Sequence, residues 1–97
     1  MNITVTDAAS QWFKDEILLT DGDMVKFYVR IYGSSPVQEN YSLGFTIDSD
    51  IKDDSVSTDK DGITYYVYEE DLWFFKDKNL VVDYDDENDE VKFEYVD

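Results

Sequence analysis

From Met24 to Tyr32 the chain alternates without a break. Val25, Phe27, Val29 and Ile31 share one parity, and Lys26, Tyr28 and Arg30 share the other. Successive side chains of a β-strand point to opposite faces, so only a strand gathers these four apolar residues on one side. A helix would scatter them around its axis. The rest of the chain must therefore supply partner strands, and something apolar to cover the Val25/Phe27/Val29/Ile31 face.

A partner stands just downstream. Tyr41, Leu43, Phe45 and Ile47 alternate with Ser42, Gly44 and Thr46, which predicts a second long strand. The Gly33-Ser34-Ser35-Pro36 break and the aperiodic residues up to Asn40 predict an exposed loop, making a hairpin across residues 33 to 40. The cover stands upstream. Ala9, Trp12, Phe13 and Ile17 fall at helical spacing, predicting a helix from Asp7 to about Leu19 with Trp12 and Phe13 in the core. Thr6 suits its N-cap and Asp7 its positive end, while Asp21-Gly22-Asp23 stops it.

Shorter elements complete the pattern. Asn2–Thr6 reads as a first strand and Ser55–Thr58 as an edge strand, followed by a turn at Asp59-Lys60-Asp61-Gly62. Ile63, Tyr65 and Val67 mark another strand, and Glu69-Glu70-Asp71 opens a helical turn carrying Leu72, Trp73, Phe74 and Phe75. Leu80–Tyr84 and Val91–Tyr95 form the last two strands, joined by an acidic tip from Asp85 to Glu90. The expected class is α+β: a compact mixed β-sheet domain with one N-terminal helix and a short helical turn near 69–75. A chain of 97 residues without an internal linker reads as a single domain spanning 1–97.

Charge narrows the partners. Eight Lys and Arg stand against 24 Asp and Glu, a formal net charge of −16. Residues 1–47 hold six acids and three bases, leaving eighteen acids and five bases in residues 48–97. Such a field repels phosphate backbones and anionic lipid, so neither nucleic acid nor a membrane is an expected partner. A basic or aromatic-binding protein is, and it would meet the acidic C-terminal half. Tyr28, Tyr32, Tyr66 and Tyr68 lie on the outward parity of their strands, a face covered by a loop or by a partner. The expected assembly is a monomer or a weak homo-oligomer. No signal peptide or transmembrane-length apolar run is visible, which makes the cytoplasm the expected location.

Catalytic chemistry finds little footing. The sequence has no Cys and no His, so thiol nucleophiles, disulfides, thiolate ligands and a base working near neutral pH are all missing. Ser34 and Ser35 lie in the conspicuous loop with nothing nearby in sequence to activate them. No catalytic residue is assigned, and the expectation is a protein that is not an enzyme and holds no cofactor. Asp83, Asp85 and Glu87 occupy positions 1, 3 and 5 of a twelve-residue calcium-type loop, with Glu94 at position 12. Position 6 holds Asn88 where that loop needs glycine, so these carboxylates are weak metal candidates.

The order of the motifs resembles the HesB/IscA-like family of iron–sulfur cluster biogenesis proteins, in particular its HesB/YadR/YfhF branch. The likeness is carried by Ile3-Thr4-Val5-Thr6-Asp7-Ala8-Ala9, Val29-Arg30-Ile31-Tyr32-Gly33 and Tyr41-Ser42-Leu43-Gly44-Phe45. It continues through Gly62-Ile63-Thr64-Tyr65-Tyr66-Val67, Glu70-Asp71-Leu72-Trp73 and Leu80-Val81-Val82-Asp83-Tyr84. The resemblance implies a mixed-β domain with one N-terminal helix. It also implies cluster or iron binding through a loop cysteine and a C-terminal Cys-x-Cys pair. The loop position aligns with Ser34, or with Ser35 if the loop slips by one, and the pair has no counterpart before Asp97. A hydroxyl is a poor iron–sulfur ligand, so the expected function is a non-catalytic HesB/IscA-like domain, accessory to or derived from cluster biogenesis, that acts by protein–protein contact. The alternative is a weak, carboxylate-based metal-binding protein.

Overall fold

A computed structural model of the chain describes residues 1–33 and 35–97. In chain order the elements are β1 (Ile3–Val5), α1 (Asp7–Glu16), β2 (Met24–Arg30), β3 (Ser42–Ile47), β4 (Val56–Lys60) and β5 (Ile63–Val67). A 3-10 helix (Glu69–Phe75), β6 (Asn79–Asp85) and β7 (Glu90–Val96) follow. The strands form two sheets, one in the order β3-β2-β5-β4 and one in the order β1-β6-β7. This is the expected α+β class.

The alternating stretch sits where its pattern demands, in the interior of the larger sheet. β2 pairs antiparallel with β3, as the hairpin reading expects, with Phe27 opposite Phe45 and Val29 opposite Leu43. On its other side it pairs in parallel with β5, setting Val25 beside Tyr65 and Phe27 beside Val67. Val25, Phe27, Ile63, Tyr65 and Val67 are all fully buried. The smaller sheet is also mixed: β1 runs parallel to β6, and β7 antiparallel to it.

Helix α1 closes one side of the core. Thr6 caps it, its Oγ1 accepting the Ala9 N–H at 3.2 Å, and the same hydroxyl donates to Asp83 Oδ1 at 3.0 Å. Phe13 is fully buried, edge-on to Phe45 and Tyr65. Trp12 is only half-buried; its indole N–H reaches the Asp89 carbonyl at the hairpin tip. Opposite, Phe74 and Phe75 from the 3-10 helix pack on Tyr95 of β7.

Three boundaries differ from the sequence reading by two residues or more, and several others by one. The helix ends at Glu16 rather than near Leu19, because Leu18 turns to a positive φ of 64° and Leu19 N–H folds back onto the Phe13 carbonyl. β2 stops at Arg30, where pairing with β3 ends at Ser42, so Ile31 is 81% exposed instead of joining the buried face. β4 runs on to Lys60, two residues past the expected Thr58. Between helix and sheet, Ser10 is buried and donates to Asp61 Oδ2 at 2.8 Å. The fully buried Tyr65 hydroxyl has no hydrogen-bond partner among the described residues, and burial pushes its pKa up to about 12.

Candidate protein-contact surface

The outer face of the larger sheet divides in two. Over its β5 end lies the connection between β3 and β4. Tyr66, fully buried, donates its hydroxyl to the Asp48 carbonyl at 2.6 Å, and Tyr68 donates to the Asp50 carbonyl at 2.5 Å. Lys26 forms an ion pair with Asp48 at 3.1 Å, and both Lys26 and Lys52 sit over the Tyr68 ring. The expected loop cover is therefore present for Tyr66 and Tyr68. Toward β3 the cover is side chains instead: Tyr28 and Arg30 lie across the buried Gly44, where an added Cβ would come within 2.8 Å of Arg30 Cδ.

Large side chains are exposed near the 33–40 loop. Tyr32 is 63% exposed under the Arg30 guanidinium, 4.3 Å from its ring centroid. Trp73 is 51% exposed and stands edge-on to Tyr41 at 5.2 Å. Reading Trp73 as one more apolar residue of the helical turn missed this. The turn is a 3-10 helix, whose three-residue repeat sets Trp73 on a different side from its neighbours Phe74 and Phe75. Ser34 lies outside the described residues. Ser35 is occupied locally: its hydroxyl donates to the Gln38 carbonyl at 3.2 Å and accepts the Gln38 N–H at 3.1 Å.

Two carboxylates of the acidic hairpin, Asp83 and Asp85, are used internally. Asp83 Oδ1 accepts from Thr6 and from the Tyr84 N–H, and these bonds hold its carboxyl below the usual range. Asp85 accepts the Glu87 and Asn88 N–H groups and the Asn88 amide, and is lowered likewise. Glu94 sits on β7 opposite Val81, near Lys92, while Asp85 is paired with Glu90 at the other end of the ladder. Hence Asp83, Asp85, Glu87 and Glu94 line a hairpin rather than a wrapped loop. Among the described residues no three Asp or Glu gather as a metal site.

A sequence model for iron–sulphur cluster biosynthesis matches residues 1–96. The chain belongs to that family. A "pyruvate dehydrogenase inhibitor" of Bacillus subtilis is 42% identical over 95 residues, covering 98% of this chain and 99% of the relative. An uncharacterized protein of Staphylococcus saprophyticus is 35% identical over 97 residues, with 96% and 97% covered. Among solved structures, Escherichia coli SufA, involved in biosynthesis of iron–sulfur clusters, superposes with a TM-score of 0.65 at 19% identity, covering 97% of this chain and 78% of SufA. IscA with its [2Fe-2S] cluster gives 0.61 at 17% identity, covering 96% and 79%. These two show a shared fold.

IscA, which shares the fold, carries a cluster, and the donor set decides whether this chain resembles it there. Cluster irons take thiolates, with imidazole as the occasional substitute. This sequence contains neither side chain. The residues present do not fit an iron–sulfur cluster. No helix among the described residues is long and apolar enough to cross a membrane.

Proposed function

We propose that this protein is a non-catalytic cytoplasmic regulator that acts by contact with another protein, and that its target is a pyruvate dehydrogenase, which it inhibits. The observation that carries this reading is the end-to-end similarity, at 42% identity, to a protein named for that inhibition. Two features support it. The family scaffold is kept without thiolate or imidazole donors, which favours protein contact as its use. The net charge of −16 favours a target surface rich in lysine and arginine, since opposite fields speed encounter and fix orientation.

The test is an assay of purified pyruvate dehydrogenase complex followed by NADH formation, with the protein added in increasing amounts. The expected result is a saturable loss of activity that weakens as salt rises through the range where surface charges are screened. Full activity at large molar excess and low ionic strength would overturn the reading. So would equal inhibition by an unrelated protein of the same charge. Anaerobic incubation with iron and sulfide should leave the protein colourless after gel filtration.

A further inference from the structure

Four strands stand at sheet edges: β3 and β4 in one sheet, β1 and β7 in the other. A bare edge invites pairing with another chain, and natural proteins blunt it with charge, brevity or cover. β1 is only three residues long, β4 carries Asp59 and Lys60, and β7 carries Glu90, Lys92 and Glu94. β3, Ser42-Leu43-Gly44-Phe45-Thr46-Ile47, has six residues and no charge. Among the described residues it is the one edge strand that is neither short nor charged, with Leu43 and Gly44 buried and Phe45 to Ile47 more open.

Its free backbone groups can be identified. Asp48 N–H donates to the Met24 carbonyl at 3.1 Å, which makes Met24 and Asp48 a hydrogen-bonded pair. Such pairs alternate along an antiparallel ladder, so Lys26/Thr46, Tyr28/Gly44 and Arg30/Ser42 are bonded as well. The N–H and C=O groups of Leu43, Phe45 and Ile47 therefore point away from β2. No loop or side chain among the described residues hydrogen-bonds to them.

Beside that edge runs a trench of about 480 Å³, between β3 and β7. Trp12, Leu43, Phe45, Val91 and Phe93 supply the apolar part of its lining, while polar groups, Tyr28, Arg30 and Glu90 among them, make up the larger share. Trp12 is shared with a second hollow of about 400 Å³, bounded by Asp15, Glu16, Tyr84 and Asp89. None of Asp15, Glu16, Asp89 and Glu90 forms an ion pair among the described residues. The free edge thus borders a channel of mixed polarity that leads past an indole to carboxylates without an ion-pair partner, of which Asp89 accepts the Tyr84 hydroxyl at 2.8 Å.

We propose that this trench receives an extended segment of a partner protein, which adds a fifth strand alongside β3. Alternate apolar side chains of the segment enter between Trp12 and Phe93, and a flanking lysine or arginine reaches Asp89 and Glu90. Main-chain hydrogen bonds supply affinity in strand addition, and alternate side-chain pockets supply selectivity. A second copy of the chain is disfavoured as occupant, because each copy brings a charge of −16 to the contact. This assignment does not depend on pyruvate dehydrogenase being the target.

The test uses the full chain and a synthetic peptide of alternating valine and threonine flanked by lysines, read by amide NMR and hydrogen exchange. Binding should shift the Leu43, Phe45 and Ile47 amides and slow their exchange. Replacing the peptide's lysines by glutamate should weaken binding roughly tenfold, and a proline at its centre should abolish it. The double variant Asp89→Asn, Glu90→Gln should weaken the lysine peptide by a similar factor without changing the melting temperature; Asn suits the positive φ of 52° at position 89. Three outcomes would overturn the proposal. They are no binding at millimolar peptide, shifts confined to the hairpin tip, and protection of the β3 amides by dimerisation of the chain alone. Because the assay contains no pyruvate dehydrogenase, failure of the inhibition experiment would leave this result standing, and the reverse.

Discussion

Asp83 and Asp85 in the β6–β7 hairpin, and Glu69 and Asp71 at the start of the 3-10 helix, belong to the same acidic half of the sequence. Their surroundings differ. The hairpin carboxylates accept hydrogen bonds from Thr6, Tyr84, Glu87 and Asn88, and are held below the usual range. Glu69 faces the Asp54 carboxyl, which pushes it up. Asp71 is raised by burial, offset in part by a long hydrogen bond from the Val29 N–H at 3.4 Å. One region is stabilised by its negative charges, while the other carries them at a cost and is anchored by Phe74 and Phe75 instead. A count of acids treats the two alike, but donors and burial separate them.

The sharpest way to break the contrast is to remove the apolar anchor. Phe74→Ala should cost about 3–5 kcal/mol, since the ring is fully buried against Phe75 and Tyr95. Urea unfolding measures it, and a loss below about 1 kcal/mol would mean the helix is held by its polar contacts after all. Next comes the hairpin's own support. Thr6→Ala removes both the helix cap and one of the bonds to Asp83, at an expected cost of about 1–2 kcal/mol, and Thr6→Ser should recover most of it.

The smallest effects concern pH. A carboxyl lowered by folding adds stability above its ordinary value near 3.8, and that contribution disappears as pH falls through the lower folded value. A raised carboxyl does the opposite: its favourable contribution is present below the ordinary value and disappears as pH rises through the folded one. Acidifying from neutrality should therefore first relieve Glu69 and Asp71, and only later release Asp83 and Asp85. Thermal stability should peak on the acid side of neutral. Asp71→Asn should raise the melting temperature at pH 7 and lose its advantage once Asp71 is protonated in the parent protein. Equal melting temperatures at pH 7 would remove Asp71 from the unfavourable group.

What the sequence conveyed follows the range of the signal. Period-two alternation located β2, β3 and β5, and Thr6 before Asp7 located the helix start, because those cues lie within a few residues of each other. The parallel pairings of β1 with β6 and β2 with β5 join distant segments and leave no local trace. The early helix end was hidden because Leu18 adopts a left-handed conformation that glycine or asparagine would have advertised. At the surface, the charge-free composition of Ser42–Ile47 was visible all along. That it forms an outer edge, beside Trp12 and Phe93, depends on a strand order no local pattern encodes. The tyrosines divided for the same reason: Tyr66 and Tyr68 share a parity with Tyr28, yet only they lie beneath the 48–54 connection.

The adjacency of β1 and β6 has a consequence during synthesis. Ile3 lies beside Leu80, and the bonds from Thr6 to Asp83 and from Trp12 to Asp89 each bridge 77 positions. While the ribosome is still making the middle of the chain, α1 has emerged without the strands it rests on, and its aromatic face is open to chaperones. Completion of the core waits for β6 and β7, so a chain cut a few residues after Phe75 should be cleared by proteases.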